Sequence, residues 1–178
     1  MSAFKKIFTF LCVAVSVISI YLLFYAFDIK QVNGNSMHPT FRKGDWIIIN
    51  TFYNEKSFFS RYKSFFCGDI LVFRSPLTDE MLVKRVAGTE GMPLTWLSEN
   101  TFRIGSETVT VKPQKKYLFK DFTKVPKHAI FFLGDNPSES SDSRDFGFVS
   151  TDRVEGKVLF GRYYEKKSSK RKPTGNNR

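Results

Sequence analysis

Two cysteines and two histidines are few for a chain of 178 residues, and their placement narrows the chemistry further. Cys12 lies inside an apolar N-terminal stretch and Cys67 far along the polar part, so no disulfide and no thiolate metal site is expected. No His-Glu-x-x-His and no Cys/His cluster occurs, which leaves metal-assisted hydrolysis without a ligand set and implies no cofactor. Acidic residues are scarce as well, 17 against 28 lysines and arginines, for a net charge of +11. That excess invites a nucleic-acid reading until its position is traced. From Arg162 to Arg178 there are seven basic residues and one acid, so more than half of it sits in this C-terminal stretch, which ends in a polar tail, EKKSSKRKPTGNNR. Such a tail reads as solvated and disordered, and no nucleic-acid partner is expected. A sharper reading is attraction to anionic headgroups or wall polymers, which high salt would weaken. A second long apolar run is also missing; Ala129 to Leu133 suffices only for a strand.

One long apolar run is present. Ile7 to Phe27 is uncharged over 21 residues, which as a helix measures ~31 Å and matches a ~30 Å hydrocarbon core. The run exceeds the apolar region of a cleaved leader, and it ends in Tyr25-Ala26-Phe27-Asp28, a poor cleavage sequence. Lys5 and Lys6 precede it, while Asp28 and Lys30 nearly cancel after it, so the N-terminus is expected in the cytoplasm. The expected organisation is residues 1–6 cytoplasmic, 7–27 a transmembrane anchor, 28–163 an extracytoplasmic domain and 164–178 the basic tail.

After the anchor the sequence reads as mainly β. Trp46–Ile49, Ile70–Phe73, Leu82-Val83 with Val86, Val109 with Val111, Ala129–Phe132 and Val158–Phe160 are short β-branched or aromatic runs. Turn signals such as Gly44-Asp45, Gly68-Asp69, Ser75-Pro76 and Gly134-Asp135-Asn136-Pro137 separate them. This spacing predicts a compact, barrel-like β domain with no strong interior helix, and 20 phenylalanines predict a Phe-rich core. The stretch Phe52 to Phe66 mixes seven aromatics with basic residues. It reads either as a connection packed on the barrel or as an interfacial patch facing lipid.

Three stretches are irregular enough to carry chemistry. Gly34-Asn35-Ser36-Met37-His38-Pro39-Thr40 holds a serine in a turn opened by glycine and followed by proline, a pattern common in plain turns. Leu82-Val83-Lys84-Arg85-Val86 places a lysine inside a strand-like run, which by itself usually marks an exposed edge. Gly134 to Gly147 is a long polar loop close to strands on both sides. A nucleophilic serine needs a base that is uncharged at working pH. His38 is too local for the usual triad geometry, and His128 has no evident carboxylate partner. A lysine can serve once an apolar pocket lowers its pKa by some ~2 units, worth about 3 kcal/mol. Lys84, between Val83 and Val86, is the best placed.

Taken together and in order, Ser36-Met37 with Pro39-Thr40, Gly68-Asp69-Ile70, Val83-Lys84-Arg85-Val86, Gly134-Asp135-Asn136, Ser140-x-Asp142-Ser143-Arg144 and Phe146-Gly147 resemble the bacterial type I signal peptidases over nearly the whole chain. The resemblance implies a membrane-bound Ser/Lys serine endopeptidase of the plasma membrane that removes signal peptides from exported preproteins, near the translocon. It implies Ser36 as nucleophile, Lys84 as general base, Ser140 as a hydrogen-bond partner of the lysine, and Asp142 with Arg144 as a supporting ion pair. It further implies the Ser36 amide as an oxyanion donor. Where some members carry a serine hydroxyl two residues before the nucleophile this chain has Gly34, whose amide is the expected second donor. Val32, Met37 and Val83 fall at the apolar substrate pockets. Ser60-Arg61-Tyr62-Lys63 fits the Ser-x-x-Lys of penicillin-binding enzymes without its companion elements. An autocleaving Ser/Lys protease and an inactive, tethered binding protein are the competing readings.

Overall fold

The computed structural model describes residues 3–53 and 64–161, apart from the side chains of residues 22–24. Its first element, helix α1, runs from Ala3 to Ala26. It is longer than the apolar run at its start, because Lys5 and Lys6 are good helix formers and do not interrupt it. The stretch Ala3–Tyr21 has mean hydropathy 1.9 and none of it is buried, so it is long and apolar enough to cross a membrane. Phe27 belongs to the next element: strand β1 (Phe27–Gln31) follows α1 without a loop and pairs with β2 (Trp46–Asn50) from Phe27↔Asn50 to Gln31↔Trp46.

Seven antiparallel strands form the main sheet. After β1 and β2 come β10 (Val154–Gly161), β3 (Ile70–Arg74), β4 (Met81–Thr89), β8 (Ala129–Leu133) and β9 (Val149–Ser150), in that spatial order. A smaller sheet of β5 (Leu94–Trp96), β6 (Thr101–Ile104) and β7 (Glu107–Thr110) is inserted between β4 and β8. The main sheet curls, since β1 stands first and β4 fifth in the order, yet residues 30–34 and 80–84 line one groove. The expected barrel-like β domain is thus what the chain forms; after α1 the described residues hold one α-helical turn, α2 (Ser143–Phe146), and short 3-10 turns of which the longest is Pro113–Leu118.

Alternation decides the cores. Ile70 and Val72 of β3 join Val32, Met37, Phe41, Ile47 and Ile49 on one face, while Leu71 and Phe73 join Phe132, Phe146 and Val149 on the other. Phe131 of β8 enters a third cluster with Phe102 and Phe119 beneath the small sheet. Strands covered on both faces have to be apolar throughout, which explains the continuous runs ILVF and AIFFL. The Phe-rich core is real: Phe41, Phe73, Phe102, Phe119, Phe131 and Phe132 are fully buried. Phe73 stacks on Phe132 with ring centroids 4.1 Å apart, and each such ring contributes about 1.5–3 kcal/mol.

β1, β5, β6 and β9 carried no clear sequence signal. β1 hides behind the apolar run, and β5 and β9 are too short to show alternation. Of the Phe52–Phe66 stretch, residues 54–63 lie outside the described residues, as do Ser60, Lys63 and the basic tail. Tyr53 and Phe65 are half-buried against the cluster around Phe73, whereas Phe66 is exposed.

Candidate active site

Ser36 sits in the loop that follows β1. Two buried side chains, Met37 and Phe41, pin that loop into the core beneath it. Inside it the His38 amide donates to the Asn35 carbonyl at 2.9 Å and the Phe41 amide to the Met37 carbonyl at 2.8 Å. The His38–Pro39 peptide is cis. Thr40, four residues on, donates its hydroxyl to Asp135. That carboxylate is held by Arg85 in bidentate fashion, Nε to Oδ1 at 2.8 Å and Nη2 to Oδ2 at 2.6 Å. Arg85 also donates to the Gly68 carbonyl at 2.9 Å. The serine loop, β4 and the loop after β8 are thereby tied at one point, the kind of fork contact that fixes geometry as well as adding energy.

Lys84 lies on β4 opposite Leu71 and is 2% exposed. Its Nζ donates to Ser36 Oγ at 2.6 Å, joining residues 48 apart in sequence. Burial pushes the Lys84 pKa down from 10.5 to about 8; Asp142 opposes the change, Arg144 reinforces it and Asp135 opposes it. An ammonium donates to the serine, and once neutral the same nitrogen is placed to accept the serine proton.

Asp142 anchors the loop behind the lysine. It is fully buried, and its carboxylate accepts from Arg144 Nε at 2.8 Å, Arg144 Nη2 at 2.7 Å, the Gly134 amide at 2.9 Å and Ser140 Oγ at 2.7 Å. Burial pushes this carboxyl up, but the bonds from Arg144, Gly134 and Ser140 outweigh it and hold the pKa below the ordinary value. The expected bond between Ser140 and Lys84 does not form. The Ser140 hydroxyl goes instead to the buried carboxylate, the stronger acceptor, and Lys84 is engaged by Ser36.

Gly134 stands where these parts meet. A Cβ there would lie 2.2 Å from Ser140 Oγ and 2.6 Å from the Ser36 carbonyl oxygen, so no side chain is admissible without moving the loop. That carbonyl accepts from the Asn136 amide at 3.0 Å. Gly34 is the opposite case: a Cβ would meet nothing within 4 Å. Among the described residues, neither the Gly34 nor the Ser36 amide has an acceptor.

A groove of about 580 Å³ leads to Ser36 and Lys84. Val32 and Met37, both nearly wholly buried, form its floor with Val72, and Val83 is half-buried in its wall. Both sides offer unpaired strand edges. Among the described residues β1 pairs only with β2, and Met81–Lys84 pair only with β3 because β8 joins β4 from Arg85 onward.

The chain therefore brings together Ser36, Lys84, Gly34, Val32, Met37 and Val83, with Asp142 and Arg144 directly behind. His128 lies away from this groove, its Nδ1 3.9 Å from Glu90. Thr40, Arg85, Gly134, Asp135 and Asn136 stood inside the recognisable sequence blocks without a role. Their signal was a cluster of polar residues at strand ends, which reads equally as turn chemistry.

A family model described as signal peptidase, peptidase S26, matches residues 2–163. Signal peptidase I of Bacillus caldolyticus is 34% identical over 167 residues, covering 85% of this chain and 87% of the relative. Signal peptidase I V of Bacillus subtilis is 31% identical over 172 residues, covering 86% of this chain and 97% of the relative. A crystal structure of a signal peptidase I from Enterococcus faecalis superposes with a TM-score of 0.41 at 28% identity, over 55% of this chain and 98% of that one.

Proposed function

Because this chain belongs to the signal peptidase, peptidase S26 family, we propose that it is a membrane-bound serine endopeptidase that removes signal peptides from exported preproteins through a Ser36/Lys84 dyad. The observation that carries the reading is the 2.6 Å contact between a buried Lys84 Nζ and Ser36 Oγ at the end of an apolar groove.

Neutral Lys84 takes the Ser36 proton as Oγ attacks the scissile carbonyl. The oxyanion is met by the Ser36 and Gly34 amides. Protonated Lys84 then delivers its proton to the departing amine, leaving an ester on Ser36. Water, deprotonated by Lys84, hydrolyses that ester and restores both groups. Asp142, Arg144 and Ser140 keep the lysine's surroundings fixed without touching the reacting atoms.

The substrate enters extended between the free edges of β1 and Met81–Lys84, adding a strand to both. Small side chains at the −1 and −3 positions suit the shallow floor of Val32, Met37 and Val83. Their burial shields Lys84 from water and favours its neutral form.

In this reading the apolar part of α1, residues 7–26, anchors the chain in the plasma membrane, residues 1–6 are cytoplasmic, and the domain that begins at Phe27 works outside, near the translocon that delivers the substrate. The excess of Lys5 and Lys6 supports the orientation. Phe27, Ile29, Trp46 and Phe160 are exposed on the face of β1, β2 and β10 that continues from α1, which supports seating against lipid. The test is cleavage of a signal-peptide-bearing precursor in detergent or lipid by wild type and Ser36→Ala. Cleavage after the −1 residue by wild type alone is expected. A folded wild type that cuts nothing would favour a binding protein with an idle site.

A further inference from the structure

A second groove, of about 490 Å³, lies beyond the Ser36 loop. Its walls are Arg85–Ala87 of β4, Gly134-Asp135 with Pro137 after β8, and the β6–β7 hairpin from Ser106 to Thr110. It abuts the first groove. Gly134 is pressed against the Ser36 carbonyl, and Asp135 holds Thr40 just past the serine.

The hairpin wall presents a third free strand edge. Among the described residues β7 pairs only with β6. The Gly105-Ser106 turn closes on the pair Ile104↔Glu107, and Val111 donates to the Asn100 carbonyl at 2.9 Å, so the hydrogen-bonded pairs are 104/107, 102/109 and 100/111. Thr108 and Thr110 belong to the alternate pairs and turn their N–H and C=O away from β6. Their residues line the groove.

We propose that this groove receives the mature side of the substrate, the first residues after the cut, as a strand added to the outward edge of β7 at Thr108 and Thr110. The inference rests on the peptidase reading above. A substrate that enters beside α1 and lies parallel to β1 meets Ser36 at the far end of the first groove, so its residues after the scissile bond continue past Asp135 and Pro137 into this one. Pairing through backbone groups reads no particular side chain. The two guanidinium groups at the groove are committed to Asp135 and Asp142, and Glu107 at the hairpin turn is the other charged side chain in its lining. Backbone pairing suits an enzyme whose leaving groups differ from one substrate to the next.

The test uses the full-length chain in detergent and peptides identical up to the cut. One ends a single residue after it, one continues for about eight residues, and a third is the long peptide with backbone N-methylation at mature residues 3–6. A few strand hydrogen bonds correspond to about tenfold in kcat/KM. The long peptide is expected to be cut that much faster than the short one, with N-methylation abolishing the gain. Thr108→Pro, which deletes an outward N–H, is expected to narrow the gap. Equal rates for all three peptides with wild type overturn this proposal alone. So does a folded Thr108→Pro protein that keeps the full gap. No cleavage of any peptide overturns the peptidase reading together with it.

Discussion

Lys84 and Asp142 are both almost completely withdrawn from water, yet the fold treats them in opposite ways. Asp142 receives five hydrogen bonds, two of them from the bidentate Arg144 guanidinium, so its charge is kept. Lys84 receives one neutral hydroxyl and a pocket, so its charge is discouraged. A buried carboxylate with every lone pair met is a structural rivet. A buried lysine left with a serine is a group primed to lose a proton. The contrast separates scaffold from chemistry without any appeal to resemblance.

The largest effect should come from Lys84→Ala: cleavage of a precursor, followed on a gel, should vanish while circular dichroism stays that of wild type. Full activity in this variant would end Lys84's candidacy as base. Asp142→Ala should break the other side of the comparison, since it leaves Arg144, Ser140 and the Gly134 amide without their acceptor. A loss of about 3–5 kcal/mol in urea unfolding is expected, and because Asp142 raises the Lys84 pKa, the rising pH limb of the protein that stays folded should move toward acid.

Titration sharpens the contrast. The base works only when neutral, so with a pKa of about 8 kcat/KM should fall roughly tenfold per pH unit below pH 8 and level off above it. Arg144→Ala removes a charge that lowers the Lys84 pKa and leaves Asp142, which raises it, uncompensated. The rising limb should move to alkaline pH; an unmoved limb would mean the two groups are not coupled. Stability follows the same sign. Between pH 8 and 10.5 the unfolded chain binds more protons at Lys84 than the folded one, so stability rises across that window. Asp142 acts at the other end: its contribution is present above the ordinary carboxyl range and is lost as acid approaches its lowered folded value. The smallest expected effect is a gain. Gly34→Ser enters open space beside the oxyanion and should raise kcat severalfold, well short of the ~10²–10³ that oxyanion donors are worth elsewhere.

Much of this was legible beforehand, for identifiable reasons. The runs at Ile70 and Ala129 announced strands because strands buried on both faces must be apolar throughout. The long apolar helix announced itself by length. The pairing of Ser36 with Lys84 depended on family resemblance, since a contact across 48 residues leaves no local trace. The partner of Ser140 was misjudged because sequence order does not say which of two buried charges a hydroxyl reaches. Arg85 and Asp135 are a pair that only the curling of the sheet brings within reach of Thr40.

Helix α1 gives way to β1 between Ala26 and Phe27 with no hinge, and the Thr51 hydroxyl on the neighbouring turn donates to the Tyr25 carbonyl at 2.7 Å. The extended chain from Phe27 to the serine loop covers roughly 20 Å at the usual strand rise. Wherever a bilayer held α1, it would hold Ser36 at a set height. A precursor would then be measured before it is read, because only a peptide with enough extended chain beyond its own apolar segment could bring a bond to that level.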